Sequence, residues 1–453
     1  MELAEKRILV VGMARSGIAA AELLHMHGAT PLLNDRKKEE AFGKDLDSLR
    51  KPGCEFRLGE DPVALLKEAD GLVISPGVPI DAPVVKAAKE MKMSLVGELE
   101  LAFQNLTGDV LAISGTNGKT TTTTLMGKIF ENAGRTTHVA GNIGYPLSAV
   151  AQTARKQDVT VIEVSSFQLE SIETFHPHVA ALLNITEDHL NRHGTMEEYI
   201  RLKARMFENQ TEEDCAVLNM DDPTLVKMVP SIRAQVAFFS RTQPVENGAF
   251  VENGKIVWQW HGARRVICDV DQILIPGPHN LENALAATAM ACFAGVPAPV
   301  IRHTLMNFTG VEHRIEKVRV LNGVTYINDS KGTNVDSTIK AVQSMKAPTV
   351  ILLGGYDKHT DFMPLCREIV ASPWISHAVV MGETSRQIRE QLEEAGYTAI
   401  TRAYSMEDAV TKARELSVSG GNVLLSPACA SFDMFRDYEQ RGDVFKQIVN
   451  ALI

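Results

Sequence analysis

The chain has 453 residues, of which 45% are hydrophobic and 23% charged, and its formal net charge is −10. Several domains are expected at this length, because a single core rarely grows beyond about 250 residues. No apolar run reaches the roughly 18 residues of a membrane span, and the acidic balance argues against a general nucleic-acid binder. The first residues lack the pattern of a signal peptide, so we expect a cytoplasmic protein.

Apolar β-branched runs alternate with helical patterns along the chain, which is typical of βαβ units and parallel sheets. The first set contains, in order, a strand over 7–11, a helix over 15–27, and strands over 30–34 and 71–74. The turn between its first strand and its helix, from Gly12 to Gly17, resembles a dinucleotide-binding turn. Ala14 replaces the second glycine of G-x-G-x-x-G, which weakens that signal.

The second set opens at residues 111–121, Leu-Ala-Ile-Ser-Gly-Thr-Asn-Gly-Lys-Thr-Thr, where an apolar strand enters a glycine-rich turn and then a helix. Gly115 and Gly118 allow backbone N–H groups to converge on phosphate oxygens. Lys119 supplies a positive charge, and the Thr120 hydroxyl can bind Mg²⁺. The loop is shorter than G-x-x-x-x-G-K-[ST], yet it predicts a site for a nucleoside triphosphate.

Two further strands in this set, over 160–164 and 179–183, lead into polar residues. Glu163 stands at the carboxyl end of its strand, where α/β sheets bind ligands, and is predicted to hold the Mg²⁺ that bridges ATP phosphates. A half-exposed, salt-bridged Glu163 is the alternative interpretation. His189 and His193 have the i, i+4 spacing of two zinc ligands on one helix face. No third candidate ligand lies at the sequence spacing of a zinc site, so the preferred interpretation places His189 near Mg²⁺.

The third set starts near residue 311, with strands around 324–328, 349–353, 378–381 and 423–426. The fold class is therefore α/β, with domain boundaries expected near Gly97 and Gly310. The six cysteines form no Cys-x-x-Cys pair, so neither a zinc site nor a disulfide framework is predicted. Cys429 is interpreted as a small buried packing residue.

Three motifs occur in the order found in the Mur ligase family: Gly-Thr-Asn-Gly-Lys-Thr at 115–120, Glu-Val-Ser-Ser-Phe-Gln at 163–168 and Asn-Ile-Thr-Glu-Asp-His at 184–189. The chain resembles that family over essentially its whole length. The resemblance implies three domains: a Rossmann-like UDP-sugar domain over 1–97, a P-loop ATPase-like domain over 98–310 and a Rossmann-like amino-acid-binding domain over 311–453.

Within the family, the chain is most similar to members that join D-glutamate to UDP-N-acetylmuramoyl-L-alanine. The short N-terminal domain and the stretch over 425–435 support this, and the Asp-Asn-Pro-Arg motif of the diaminopimelate- or lysine-adding members is absent. The resemblance implies an ATP-dependent peptide ligase of peptidoglycan precursor synthesis. It would work through an acyl phosphate and release ADP and phosphate.

The resemblance also implies site residues. ATP would be bound by Gly115, Thr116, Asn117, Gly118, Lys119, Thr120, Thr121, Asn280, Asn283, Arg314 and Asp329. The UDP substrate would be bound by Arg15, Ser16, Asp35, Gly77 and Asn142, although Arg36 departs from the threonine expected next to Asp35. D-glutamate would be bound by Thr333, Lys358, Ser431 and Phe432. Two Mg²⁺ ions would be bound by Thr120, Glu163, His189 and Lys203, and the catalytic groups would be Lys119, His189 and Lys203.

Lys203 would carry a carbamate, because carbamylation converts a repelling ammonium into an anionic ligand for Mg²⁺. From the residues alone, Lys203 is a charged residue on the solvated face of a helix. We expect a monomer that binds neither nucleic acid nor membrane.

Other functions remain open on the sequence. A nicotinamide-dependent dehydrogenase would use the Gly12 to Gly17 turn but would leave the 115–121 loop without a purpose. A regulatory ATPase would use that loop as a switch. Folylpolyglutamate synthetase is the rival within the superfamily, although its N-terminal region ordinarily starts at the ATP loop and lacks the residues that precede it here.

Overall fold

The computed structural model describes residues 3–42, 46–50, 53–188, 190–275, 277–357 and 360–453. These residues form two compact units, Met1–Phe308 and Thr309–Ile453. One parallel sheet and one mixed sheet make up the first unit, and one mixed sheet makes up the second. Among the described residues, no helix is long and apolar enough to cross a membrane.

The strands of the first unit are β1 (Arg7–Val11), β2 (Thr30–Asn34), β3 (Glu55–Phe56), β4 (Gly71–Ile74), β5 (Ser94–Gly97), β6 (Asp109–Ser114), β7 (Thr137–Gly141), β8 (Val159–Glu163), β9 (Val179–Leu182), β10 (Cys215–Asn219), β11 (Gln235–Ser240), β12 (Gly248–Glu252), β13 (Lys255–Trp260) and β14 (Ala263–Asp269). Its α-helices are α1 (Arg15–Met26), α2 (Pro62–Leu65), α3 (Pro83–Glu90), α4 (Glu98–Asn105), α5 (Lys119–Asn132), α6 (Leu147–Ala151), α7 (Ser166–Leu169), α8 (Leu190–His193), α9 (Met196–Ala204), α10 (Pro223–Val226), α11 (Pro278–Phe293) and α12 (Ala298–Asn307).

The second unit contains the strands β15 (Glu316–Leu321), β16 (Val324–Asn328), β17 (Thr349–Leu353), β18 (Ile375–Val380), β19 (Ile400–Arg402) and β20 (Asn422–Leu425). Its α-helices are α13 (Val335–Ser344), α14 (Met363–Ala371), α15 (Ser385–Glu394), α16 (Met406–Leu416) and α17 (Tyr438–Ala451). Short 3-10 turns in the chain span Glu39–Ala41, Asp47–Leu49, Leu66–Glu68, Arg205–Phe207, Val229–Ser231 and Val270–Gln272.

The N-terminal sheet has the strand order β3-β2-β1-β4-β5, and all its strand pairs are parallel. Its strands are short aliphatic runs, as expected of a parallel sheet that is buried on both faces. One face packs with Leu23 and Leu24 of α1 in a core that continues into the second sheet, and the other packs with Val84 and Val85 of α3. The turn after β1 therefore opens at the carboxyl edge of the sheet.

The central sheet has the order β14-β13-β12-β11-β10-β9-β6-β8-β7. It is parallel from β7 to β12, and β12, β13 and β14 continue as an antiparallel ribbon at one edge. Strand β6 lies between β8 and β9, with Ile113 opposite Glu163 and Ser114 opposite Leu182. The loops that follow these three strands therefore meet at one edge.

The sheet of the second unit has the order β15-β16-β20-β17-β18-β19, and only its β15–β16 pair is antiparallel. Separate apolar clusters cover its two faces. Strands β16 and β20 are neighbours, with Asn328 opposite Leu425. The loops after these two strands consequently lie side by side, although they are about 100 residues apart in sequence.

The predicted α/β class and the strands named above are confirmed. The largest shift is at β18, which begins at Ile375 rather than at residue 378. The three sheets correspond to the three expected domains, whereas the boundaries at 97 and 310 stay predictions. The antiparallel ribbon β12–β14 was not predicted from the sequence.

Candidate active site

The phosphate loop joins β6 to α5, and its two glycines take backbone conformations that other residues rarely adopt. Gly115 has a φ of +148° and Gly118 a φ of +85°. A Cβ on Gly118 would stand 2.3 Å from the side-chain oxygen of Asn283. Gly118 thus permits both the turn and the close packing of α11 against it. The first amides of α5 begin at Lys119, at the positive end of the helix dipole.

Residues that follow β9 hold the phosphate loop in place through hydrogen bonds. The backbone N–H of Asn117 donates to Asn184 Oδ1 at 2.8 Å, and Asn184 Nδ2 donates to the Asn117 carbonyl at 3.1 Å. The Thr116 N–H donates to the Asn184 carbonyl at 2.9 Å, and its Oγ1 accepts from the Thr186 N–H at 3.0 Å. Because the amides of Thr116 and Asn117 are engaged in this way, an incoming phosphate would meet the amides from Gly118 onward.

Two lysine ammonium groups converge on one backbone oxygen of the loop. Lys119 Nζ donates to the carbonyls of Gly115 and Thr116, each at 2.9 Å. Lys203 Nζ, which reaches the loop from α9, donates to the same Gly115 carbonyl at 2.9 Å and to Ser114 Oγ at 3.3 Å. Lys203 is only 1% exposed. The interpretation of Lys203 as a lysine on a solvated helix face was therefore wrong.

The surroundings of Lys203 weaken its hold on a proton. Burial lowers the pKa of its amine well below the usual value, and the positive charge of Lys119 lowers it further. The negative charges of Asp188 and Glu163 act in the opposite direction and are smaller causes. The amine therefore loses its proton more readily than that of an exposed lysine.

Glu163 ends β8 beside the loop and is 1% exposed. Its Oε1 accepts from Asn142 Nδ2 at 2.8 Å, whereas its Oε2 is buried and accepts no hydrogen bond from the residues that the structure describes. The alternative of a half-exposed, salt-bridged Glu163 is wrong. A buried carboxylate oxygen without a donor is costly unless a ligand satisfies it.

The oxygen atoms of Glu163 and Thr120 are of the chemical type that suits a magnesium ion. In the described part of the chain, no three His, Cys, Asp or Glu side chains form a metal site by themselves. Thr120, 8% exposed at the start of α5, and Glu163 are hard oxygen ligands, and Mg²⁺ ordinarily takes only one or two protein ligands beside phosphate and water. His189, which was predicted to lie near the second ion, is outside the described residues.

The zinc interpretation of His189 and His193, which the sequence did not favour, gains no support from the surroundings of His193. Its Nε2 lies 2.9 Å from Ser166 Oγ and its Nδ1 lies 3.6 Å from Glu170, while its ring stacks on Tyr199. Glu170 also forms a two-pronged ion pair with Arg192, at 3.1 and 2.6 Å. His193 is thus part of a buried polar cluster, which sequence reasoning missed because its members are distant in sequence.

Asn280 and Asn283, two of the predicted ATP-binding residues, lie where α11 meets the phosphate loop. Asn283 accepts a hydrogen bond from Thr122 Oγ1 at 3.3 Å and donates to Asn280 Oδ1 at 3.2 Å. A cavity of about 680 Å³ lies near the loop, and its lining includes Thr186 and Glu282. Its volume falls in the range of small-molecule sites.

The predicted UDP-substrate residues lie in the first unit. Both carboxylate oxygens of Asp35 accept backbone hydrogen bonds, from Met13 in the turn after β1 and from Lys37. Arg15 donates to the carbonyl of Gly144 at 3.1 Å, which brings this turn to the segment that contains Asn142. Ser16 is partly buried in the first turn of α1.

Gly77 lies in the loop after β4. Its neighbours Pro76 and Val78 offer carbonyls to Arg192 at 3.4 and 3.5 Å. Since Arg192 also pairs with Glu170, the loop after β4 meets the second sheet near the phosphate loop. The structure thus brings Arg15, Gly77 and Asn142 toward the side of the first unit that holds Glu163.

The remaining predicted residues belong to the second unit. Thr333 follows β16, and Ser431 and Phe432 follow β20, so the two neighbouring strands deliver them to one edge. Ser431 is buried, whereas Phe432 is exposed with its ring edge-on to Tyr356. Lys358 lies outside the described residues.

Arg314 is exposed, and Asp329, at the end of β16, is buried. Asp329 accepts hydrogen bonds from Ser426 Oγ at 2.6 Å and from the Ile315 N–H at 3.2 Å. Burial raises the pKa of Asp329 to about 6, against the partial opposition of these donors and of Arg314. Its carboxylate is therefore held in an unfavourable charged state at neutral pH.

Comparison with protein families gives three consecutive matches. Residues 6–97 match the Mur ligase MurD-like N-terminal domain, residues 113–291 the Mur ligase middle domain, and residues 313–429 the Mur ligase glutamate ligase domain. Among solved structures, MurF from Acinetobacter baumannii is similar with a TM-score of 0.62 at 18% identity, covering 98% of this chain and 94% of its own. MurC from Thermotoga maritima gives 0.59 at 16%, covering 99% and 100%. At these identities the similarity shows the fold.

Curated relatives match over the whole length. The UDP-N-acetylmuramoylalanine--D-glutamate ligase of Alkaliphilus oremlandii (strain OhILAs) is 46% identical over 454 residues, covering 100% of each chain. That of Clostridioides difficile (strain 630) is 44% identical with the same coverage. The chain therefore belongs to the Mur ligase family, within the group of UDP-N-acetylmuramoylalanine--D-glutamate ligases.

Proposed function

We propose that this chain joins the alanyl carboxylate of UDP-N-acetylmuramoyl-L-alanine to the amine of D-glutamate, with ATP converted to ADP and phosphate, in peptidoglycan precursor synthesis. The observation that carries the proposal is the convergence of Lys119, Lys203 and Glu163 at the ends of β6 and β8. The activity named for full-length relatives at 44–46% identity agrees with it. A MurF from Thermotoga maritima with a similar fold was solved in complex with ADP.

The chemistry answers one difficulty, which is that a carboxylate does not react with an amine. Transfer of the γ-phosphoryl group of ATP to the alanyl carboxylate forms a C–O–P bond, breaks the β–γ bridge and releases ADP. The amine of D-glutamate then attacks the acyl carbon of this acyl phosphate. A C–N bond forms, the amine loses a proton, and the C–O bond to the phosphate breaks, so that phosphate leaves with the electron pair of that bond. Every reactant is anionic, so the site must concentrate positive charge.

Different residues of the first unit would bind the phosphate groups, supply positive charge and hold Mg²⁺. The amides from Gly118 onward would bind the phosphate oxygens, and Lys119 would add its charge beside the transferred phosphoryl group. Thr120 and Glu163 would hold the first of two Mg²⁺ ions, with the Glu163 Oε2 as the oxygen that lacks a described donor. Bound Mg²⁺ would neutralise phosphate charge along the path of transfer. The second ion would lie at His189 and Lys203.

We also propose that Lys203 carries a carbamate. A neutral amine attacks CO₂ to give the N–carboxylate and a proton, and an ammonium group cannot do this. Burial and the charge of Lys119 favour the neutral amine of Lys203. The product places a negative charge beside Lys119, where an ammonium group on Lys203 would be repelled, because both side chains reach the same Gly115 carbonyl. It also creates two oxygen ligands for a hard cation.

The substrates would be distributed over both units. Arg15, Ser16, Asp35, Gly77 and Asn142 would bind the UDP-sugar substrate on the first unit. Thr333, Lys358, Ser431 and Phe432 would bind D-glutamate on the second unit, and Arg314 and Asp329 would add contacts to the nucleotide. In this assignment the chain acts as a monomer in the cytoplasm, with domains over 1–97, 98–310 and 311–453.

A phosphate-release assay tests the proposal. Purified chain, ATP and Mg²⁺ are combined with UDP-N-acetylmuramoyl-L-alanine and a panel of D- and L-amino acids. We expect phosphate release only with both the UDP substrate and D-glutamate, together with a product that contains one additional glutamyl residue by mass spectrometry. Release without an acceptor would favour a regulatory ATPase. Release with a folate substrate would favour the folylpolyglutamate branch, and reduction of a nicotinamide cofactor would favour a dehydrogenase.

A further inference from the structure

Arg441, on α17 of the second unit, is a fully buried cation that the proposed mechanism does not use. Its side chain is among the largest that are buried almost completely, with 1% exposed. Its Nε donates to Ser330 Oγ at 2.9 Å and its Nη2 to the Ser330 carbonyl at 2.7 Å. Its Nη1 donates to the carbonyls of Cys429 and Ala430, at 3.0 and 3.2 Å. The guanidinium thus bonds to four oxygens.

All four of these acceptors are neutral. Of the carboxylates that the structure describes, none lies within ion-pair distance of the guanidinium. Asp433 and Asp329 exert only longer-range attraction, and burial, the larger effect, lowers the pKa of Arg441 to about 10. The side chain therefore stays charged at neutral pH. Burying an ion without an opposite charge costs several kcal/mol, so packing alone is a poor reason to have arginine at this position.

The guanidinium joins two specific loops. Ser330 lies in the loop after β16, three residues before Thr333, and Ala430 lies in the loop after β20, immediately before Ser431. These loops follow neighbouring parallel strands, at the edge where α/β sheets bind ligands. Ala428, in the second loop, has a φ of +59°, a conformation that a residue with a side chain adopts only when its surroundings impose it.

The forked arrangement of N–H donors in the arginine guanidinium group suits this contact between two loops. Its donors lie in one plane, so two bonds to Ser330 and two to the Cys429–Ala430 segment fix both the spacing and the relative orientation of the loops. The same group places a positive charge, which Asp433 and Asp329 offset only at longer range, beside loops that would receive an acceptor with two carboxylates. Geometry and charge therefore both point to the amino-acid site.

We propose that Arg441 is a positioning residue for the amino-acid acceptor. It would hold the loops of Thr333 and Ser431 in register and bias the site toward a dicarboxylic amino acid through its unpaired charge. The proposal rests on the proposed function for the identity of the acceptor, D-glutamate. It assigns no contact between Arg441 and the substrate.

The test separates geometry from charge with two variants. Arg441→Lys replaces the fork with a single amine that can carry a positive charge, and Arg441→Met removes both the fork and the charge while keeping an unbranched side chain. We expect KM for D-glutamate to rise about tenfold in Arg441→Lys and about a hundredfold in Arg441→Met, with KM for ATP and the UDP substrate within about twofold. Ser330→Ala deletes the Nε acceptor together with the hydrogen bond that Ser330 Oγ donates to the Tyr438 carbonyl at 2.8 Å. It should raise KM for D-glutamate severalfold and keeps the test decisive if Arg441→Met does not fold.

Arg319→Lys is the matched control, because Arg319 Nη1 donates to three carbonyls, of Val449, Asn450 and Leu452, at the other end of the same helix. It should lower the thermal midpoint and leave KM for D-glutamate within about twofold. If Arg441→Lys and Ser330→Ala change only the midpoint, or raise all three KM values equally, Arg441 is a packing residue and the inference fails. If Arg441→Met is no worse than Arg441→Lys, the charge bias fails. Absence of D-glutamate-dependent turnover in the parent chain would instead overturn the proposed function.

Discussion

Lys203 in the first unit and Arg441 in the second are both buried cations at the carboxyl edge of a parallel sheet, but their neighbourhoods differ. Lys203 shares its carbonyl acceptor with a second ammonium group, Lys119, and its pKa falls well below the usual value. Arg441 bonds to four neutral oxygens and keeps its charge, with a pKa of about 10.

The difference shows how burial acts on the two cationic side chains. A buried lysine can lose its proton and become a nucleophile, whereas an arginine cannot be deprotonated in this range and remains a fixed charge. Burial therefore favours the neutral amine of Lys203 and makes Arg441 a permanent cation.

Lys119→Met should produce the largest loss. It removes the charge next to the phosphoryl group, and we expect kcat/KM to fall by about 1,000-fold or more in the phosphate-release assay. It also removes a charge that lowers the pKa of Lys203, so carbamylation should decrease as well. Lys128→Met is the control on the same helix, because Lys128 is exposed and, among the residues that the structure describes, forms an ion pair with Glu131 alone. A Lys119→Met enzyme as fast as the parent would contradict the account of the first unit.

Lys203→Ala should lose about a hundredfold in kcat and recover part of it when formate or acetate is added, because a small carboxylate can occupy the space of the carbamate. Lys203→Arg fixes a charge at the site and should not recover. Carbon NMR after exposure to labelled CO₂ should show a carbamate signal in the parent that both variants lack. An intact fold with no rescue and no signal would remove the modified lysine from the mechanism.

Glu163→Gln should raise the Mg²⁺ concentration for half-maximal activity about tenfold, because an amide oxygen is a weaker ligand than a carboxylate. The parent and the variant are compared in a magnesium titration at saturating ATP. Glu98→Gln is the control: Glu98 is equally buried, and its Oε1 accepts from the Ser148 N–H at 2.7 Å. It should change the thermal midpoint and leave the magnesium titration where it was. If the parent and Glu163→Gln need the same Mg²⁺ concentration for half-maximal activity, Glu163 is not a magnesium ligand.

Much of this architecture could be predicted from the sequence because its signals are local. An apolar run followed by glycines, a lysine and a helix identifies the loop between β6 and α5, and β1, β2, β4, β16 and β17 have the predicted bounds. The ribbon β12–β14 was missed, since the apolar and polar residues of such an edge ribbon do not resemble a buried parallel strand.

What the sequence could not give are properties set by distant neighbours. Lys203 is unremarkable in its helix, and only the fold places it beneath Gly115, 88 residues earlier in the chain. Arg441 is a charged residue in a polar helix, and its 111-residue separation from Ser330 conceals their contact. Burial of a charge depends on which loops close over it, and a single sequence contains no local pattern for that.

The last prediction concerns Asp329 and stability at different pH. Its pKa is raised from 3.8 to about 6, so the folded state disfavours its charged form. No penalty exists below pH 3.8. Stability then falls as pH rises toward 6, and above pH 6 the loss is about 3 kcal/mol. Asp329→Asn removes this cost, and an amide can accept from the Ile315 N–H while donating to the Ser426 hydroxyl. We therefore expect the variant to have a higher thermal midpoint than the parent, by a larger margin at pH 8 than at pH 5.

The stabilisation by Asp329→Asn at pH 8 should exceed that at pH 5 by about 1 kcal/mol, or roughly 3 °C in the thermal midpoint for a unit of this size. Asp408→Asn is the control in the same unit, because a side-chain hydrogen bond from Lys412 lowers the pKa of Asp408 and its carboxylate stays ionised at both pH values. Its loss of stability should therefore be the same at pH 5 and pH 8. A midpoint difference for Asp329→Asn that does not grow with pH would show that Asp329 is ionised without cost, and that Arg314 and Arg441 compensate its charge more fully than its raised pKa indicates.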